Sequence, residues 1–136
     1  MTIDQLILIT GMIFLFALIF GSVYFLPIVF ALIRAKSFGL KLNFKQAQTL
    51  TKDKCLHKDF LIGLRDIWDI YPFELHKLTD HYLAGGDFKN IKKGLLEFRK
   101  RNREPNEWFL TTFDLAKRDL ANEISKAEKN DWKYEL

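Results

Sequence analysis

From position 5 to position 33 the chain carries no charged residue, an uninterrupted stretch of 29 positions between Asp4 and Arg34. No other feature constrains the fold as strongly, because a nearly apolar run of roughly 18 residues or more is already long enough to read as a membrane-crossing helix. The mean hydropathy of −0.07 therefore averages two unlike pieces. The 103 residues after position 33 hold all 21 Lys and Arg and 16 of the 17 Asp and Glu, a net charge of +5. That length suffices for one small core. With no second uncharged stretch of comparable length, the expectation is one membrane element carrying one polar domain.

At about 1.5 Å per residue, Leu6 to Ile33 makes a helix of roughly 42 Å, against a hydrocarbon core of about 30 Å. Pro27 lacks a backbone donor and disfavours an α conformation at Leu26, which predicts a break near Phe25-Leu26-Pro27. The span then covers about residues 5–26. Ile28 to Ile33 follows as a kinked extension or an interfacial turn, and a re-entrant hairpin is the rival path. The N-terminal flank holds only Asp4, whereas Arg34, Lys36, Lys41 and Lys45 follow the apolar run. The positive-inside rule places the polar domain in the cytoplasm, against the cell inner membrane. Neither a basic leader nor a small-residue cleavage site marks a signal peptide, so a retained anchor is expected.

The reading is mainly α: a membrane anchor over residues 1–37, a small cytoplasmic helical bundle over 38–126, and a polar tail over 127–136. Ser37-Phe38-Gly39 marks the boundary, and residues 45–55 place Ala47 and Leu50 at helical spacing. Leu61, Leu64 and Trp68 form a core-facing stripe, and Pro72 suits the first turn of the next helix. That helix carries Leu75, Leu78 and Tyr82 on one face and runs into Gly85-Gly86, a strong helix stop, with Asp87 as cap of its successor. Phe88, Ile91, Leu95 and Phe98 continue at helical spacing beside the basic Lys89, Lys92, Lys93, Arg99 and Lys100. After the break at Glu104-Pro105, one last helix capped by Asn106 is expected, with Phe109, Phe113, Ala116, Leu120 and Ile124 as its stripe.

Two segments carry a resemblance: His81-Tyr82-Leu83-Ala84-Gly85-Gly86-Asp87, and Phe113-Asp114-Leu115-Ala116-Lys117-Arg118-Asp119-Leu120. Their order and spacing, together with the apolar segment containing Pro27 and the Gly39-Leu40-Lys41-Leu42 exit, resemble the bacterial flotillin-like family. In that family a His-Tyr-Leu-Ala-Gly-Gly run is followed some thirty residues later by Ile-Asp-Leu-Ala-Gly-Arg-Asp-Val. The likeness covers roughly residues 5–125. Lys117 stands where the second motif has glycine, and the chain resembles the front third of family members, without their band-7-type domain. The resemblance implies organisation of membrane microdomains by large homo-oligomers.

Composition and spacing give little support to chemistry. A single cysteine, Cys55, excludes an intramolecular disulfide and a four-cysteine zinc site. His76 and His81 are five apart and face different directions on a helix, and a Cys55/His57 pair lacks an identifiable oxyanion donor or orienting group. Asp66 with Asp69, and Asp80 beside His81, read as helix-face charges. No catalytic residue, cofactor, metal or small-molecule substrate is expected.

The amides after Gly85-Gly86 are read as a structural turn rather than an anion site, since Asp87 would repel an anion. Lys89, Lys92, Lys93, Arg99 and Lys100 have three readings: lipid headgroups, nucleic acid or plain solvation. Tethering to a bilayer favours lipid over nucleic acid, for which no fold signature is present. Trp68, Trp108 and Trp132 exceed what so small a core needs, which points to a protein interface. The function expected is non-enzymatic: a flotillin-like membrane protein that self-associates or scaffolds other proteins. A small accessory or adaptor subunit of a larger inner-membrane complex is the alternative.

Overall fold

A computed structural model describes residues 2–132. Among them are seven helices and no strand: α1 (Ile3–Ser37), α2 (Phe44–Lys52), α3 (Lys58–Trp68), α4 (Leu75–Leu83), α5 (Phe88–Lys100), α6 (Glu107–Leu115) and α7 (Leu120–Lys129). The molecule is thus mainly α, with one long apolar helix at the N-terminus and shorter helices after it. α1 is long and apolar enough to cross a membrane.

The expected break near Pro27 does not end α1, which stays helical across the proline for all of its 35 residues. A re-entrant reversal at that point is therefore absent. Proline deprives the Val23 carbonyl of its usual i+4 donor, but helix beyond it is held from outside. Ile28, Ala31 and Ala35 on one face are buried, whereas Val29, Phe30 and Ile33 on the other, like the large apolar side chains before Pro27, are exposed. The helix covering the buried face is α2, whose Ala47 packs with Ile28 and Ala31. Small side chains on both helices let the two backbones approach closely. This packing also accounts for the excess length: the C-terminal part of α1 belongs to the folded domain.

α2 starts where Asn43 Oδ1 accepts a hydrogen bond from the Gln46 backbone N–H and Gln46 Oε1 accepts one from the Asn43 N–H, at 2.8 and 2.9 Å. This reciprocal cap satisfies two otherwise orphaned donors. In the bundle, α5 is central and packs against α3, α6 and α7. Its Ile91, Leu95 and Phe98 meet Phe60, Leu61, Leu64 and Ile67 of α3, Leu110 of α6, and Leu120 and Ile124 of α7 in one core. Leu56 packs against both this core and the α1–α2 cluster, joining the two.

Gly94 lets α6 and α7 come close to α5, because a Cβ there would lie 2.5 Å from Leu110 Cδ2 and 3.1 Å from Leu120 Cδ1. In an ordinary mid-helix site Gly→Ala raises stability by about 0.5–1 kcal/mol. Here Gly94→Ala is expected to lower it by about 1 kcal/mol, since overpacking costs roughly 1–3 kcal/mol. Thermal unfolding in detergent checks the sign, and a stabilised variant would contradict the close approach.

Three local expectations are corrected. Pro72 precedes α4 instead of opening it, since the helix starts at Leu75 with Glu74 as N-cap. The intervening extended chain sinks Phe73 into the core, where its carbonyl accepts the Trp68 indole N–H at 2.9 Å. The single last helix is two, α6 and α7, separated by a turn in which Lys117 has φ +57°. Ala116, placed on its stripe, is exposed in that turn. The bundle also passes residue 126: Ala127 is buried, one helical turn after Ile124, and the Trp132 ring lies 5.7 Å from that of Phe98. Of the polar tail, residues 133–136 lie outside the described residues.

Candidate functional site

Each helix except α3 ends in the same kind of reversal, and two of these ends bring the motif segments together. At the end of α4, the Gly86 N–H donates to the His81 carbonyl at 2.9 Å and Gly85 N–H to that of Tyr82 at 3.0 Å. At the end of α6, Arg118 N–H donates to Phe113 O at 3.0 Å and Lys117 N–H to Asp114 O at 2.8 Å. Both are left-handed caps that satisfy the last carbonyls. Gly85 takes the position at φ +85° and Lys117 its counterpart at +57°. Asp87 and Asp119 then cap α5 and α7, accepting from Lys89 N–H at 2.9 Å and Ala121 N–H at 3.0 Å. The pattern Leu-Ala-x-x-Asp therefore builds two equivalent corners 32 positions apart, Leu83 to Asp87 and Leu115 to Asp119.

The corners are tied through a buried polar centre. His81 Nε2 lies 2.7 Å from Asp114 Oδ2, and both side chains are almost fully enclosed, at 1% and 2% exposure. The same oxygen accepts the Asp87 N–H at 2.7 Å. Asp114 Oδ1 accepts from Asn90 Nδ2 at 2.6 Å, and that amide also donates to the Arg118 carbonyl at 2.8 Å. Asn90 Oδ1 in turn accepts from Leu120 N–H at 3.2 Å. Lys117 reaches across to the Gly85 carbonyl at 2.6 Å. Burial by itself would raise the Asp114 carboxyl, but the His81, Asp87 and Asn90 hydrogen bonds outweigh it and hold the group below its ordinary range. An ionised carboxylate only accepts, so Nε2 of His81 carries the hydrogen. Among the described residues, His81 Nδ1 has no hydrogen-bond partner.

Tyr82 is half-buried beside this centre, its ring 5.1 Å from Phe60 and 5.7 Å from Phe88. Leu83 and Leu115 point outward with Trp108, at 61%, 40% and 56% exposure. Leu115, Trp108, Ala84 and Thr111 share a groove between α4 and α6. At its edge Lys77 pairs with Glu107 at 2.7 Å. Of the three tryptophans, only Trp108 presents its ring to this groove; Trp68 and Trp132 are half-buried against the core.

The basic residues of α5 are dispersed in their contacts. Lys92 pairs with Asp66 at 3.0 Å and Lys100 with Glu97 at 2.7 Å, while Lys89, Lys93 and Arg99 are exposed. Arg118 lies 3.5 Å from Glu123. Cys55 is buried with its thiol toward the Asp53 carbonyl, and burial, then Asp53 and Asp80, push its pKa up, the opposite of an activated nucleophile. His57 is exposed at the start of α3, and His76 pairs with Glu74 on the surface. Among the described residues, no three His, Cys, Asp or Glu side chains converge as a metal ion would require.

Asn90 is the centre's one member that sequence reasoning missed. Lying between Lys89 and Ile91 in the first turn of α5, it looks like any solvated helix-start residue. The chain matches no protein-family model, no curated protein and no solved structure.

Proposed function

We propose that this chain is a non-enzymatic, flotillin-like membrane protein. In this reading α1 spans the cell inner membrane, and the bundle at its cytoplasmic face self-associates or scaffolds other proteins. One observation carries the reading: the apolar helix is packed into a bundle whose groove between α4 and α6 leaves Trp108 and Leu115 open to solvent. A fixed anchor with a fixed apolar face suits a protein that holds partners at a set height and orientation. Exposed Trp beside aliphatic side chains is typical of interface centres. Arg34, Lys36, Lys41 and Lys45 beyond the apolar run, against Asp4 before it, support the cytoplasmic side. The kinship reading draws support from the two motif segments, which meet at His81 and Asp114.

The test is the mass and composition of the particle extracted from native membranes in mild detergent through a C-terminal tag. The expected result is a particle of this chain alone with a mass many times 16.1 kDa. A defined particle with one different membrane protein would replace self-assembly with the accessory-subunit reading. A single 16.1 kDa chain would overturn both.

A further inference from the structure

α2 crosses α1 so that both its ends meet residues 23–27, while Ala47 between them packs on Ile28 and Ala31. Phe44, at its start, has its ring 6.0 Å from that of Phe25, and Gln48, one turn on, donates to the Tyr24 hydroxyl. Thr51 and Lys52, at its end, border Val23 and Pro27. The crossing lies about 21 residues from the start of α1, or roughly 31 Å of helix, which matches a hydrocarbon core of about 30 Å. The membrane surface then falls at Tyr24, Phe25 and Phe44, aromatic residues of the kind that sit at headgroup level. α2 lies on that surface.

Where the two helices cross, they enclose a cleft of about 330 Å³. Val23, Pro27 and Ile28 of α1 form an apolar wall, and Gln48, Thr51 and Lys52 of α2 form a polar one, with Tyr24 between them. Its volume is at the lower end for small-molecule sites and suits a headgroup with its glycerol rather than a whole lipid. Lys52 is exposed at the rim. Its charge complements a phosphate, beside the Tyr24 hydroxyl, which accepts from Gln48 and keeps its own hydrogen to donate. The Thr51 hydroxyl is given to the Ala47 carbonyl at 2.8 Å, so Thr51 shapes the cleft without binding the anion. The apolar wall complements the first carbons of acyl chains.

We propose that this cleft binds the headgroup and glycerol region of one anionic phospholipid from the leaflet facing the bundle. The proposal rests on the reading of α1 as a membrane span. The binding free energy comes from a charge contact at the headgroup plane, where each Lys near an anionic surface counts, and from apolar contact below it. Such a lipid would brace the junction between span and bundle, at the point where Pro27 weakens the helix ladder.

The test uses full-length protein, first floated with vesicles of phosphatidylglycerol and phosphatidylcholine, then reconstituted in nanodiscs of the same mixture and released for native mass spectrometry. The expected result is flotation and one retained phosphatidylglycerol per chain, in preference to phosphatidylcholine. Retention should drop roughly tenfold in Lys52→Glu, in keeping with the worth of a charge reversal at the headgroup plane, and in Thr51→Trp, which fills the cleft. Lys129→Glu, exposed on α7 and away from the cleft, should leave it unchanged, and unaltered melting temperatures show that the variants fold. Flotation with equal retention in wild type and both cleft variants, or equal retention of the two lipids, would overturn the site but not the span. Failure to float would overturn both.

Discussion

Replacing Asp114 with alanine should lower the stability of the bundle by about 3–5 kcal/mol, since three donors of a buried centre lose a charged acceptor and each such loss costs roughly 1–3 kcal/mol. The carboxylate is 2% exposed and serves three donors at once: His81 Nε2, the Asp87 backbone N–H and the Asn90 amide. Alanine supplies none of these bonds and admits no bulk water to replace them, so each buried donor keeps its desolvation cost. A domain of this size has only about 5–15 kcal/mol in hand. Thermal unfolding in detergent should therefore show a large downward shift. A shift as small as that of an exposed aspartate, such as Asp69→Ala, would show that the network contributes nothing.

The same carboxylate predicts a direction for pH. Its folded pKa lies below the unfolded one, so the unfolded chain binds the proton more readily in the window between them. Stability from this group is fully present above the ordinary aspartate value of about 3.9 and is lost as pH falls through the folded value. Asp66 and Glu97 are also held low, by hydrogen bonds from Lys92 and Lys100 first and then from Arg65 and Arg101, so the wild-type acid limb combines several groups. The difference between wild type and Asp114→Asn isolates one. The gap between their melting temperatures should narrow as pH is taken below about 4; a gap constant with pH would mean that Asp114 is not depressed.

How far the sequence discloses this arrangement depends on whether a signal is local. The long apolar helix is legible because an uncharged stretch of that length is long and apolar enough to cross a membrane as a helix, and Leu61, Leu64, Ile91 and Leu95 declare their helices by spacing alone. The separation of α6 from α7 is not legible, since Phe109, Phe113, Leu120 and Ile124 keep helical spacing across the turn. The hidden signal is the recurrence of Leu-Ala-x-x-Asp, in which Lys117 takes a backbone conformation usually left to glycine. Pro27 is misleading for a related reason: a proline breaks a helix only if nothing outside supports it, and α2 is such a support. The His81–Asp114 contact joins residues 33 apart, and no periodicity reports a pairing that exists only once two corners have formed.

Those corners also make the two adjacent glycines unequal, which substitution should reveal. A Cβ on Gly85 meets no atom within 4 Å, so Gly85→Ala carries only the strain of φ +85°, about 1–2 kcal/mol. A Cβ on Gly86 would lie 2.1 Å from His81 Nε2 and 2.3 Å from its Cδ2. The ring has no free direction to move. It is hydrogen-bonded to Asp114 on one side and lies parallel to Phe88, with centroids 6.4 Å apart. Relief of the clash therefore requires either breaking the His81–Asp114 hydrogen bond or opening the turn, and Gly86→Ala should cost about 3 kcal/mol, the upper end of the range for overpacking. The double variant His81→Ala with Gly86→Ala separates the causes. With the ring gone, the added methyl should cost little beyond the loss from His81→Ala alone, whereas additive losses would show that Gly86 is required by the backbone and not by the histidine.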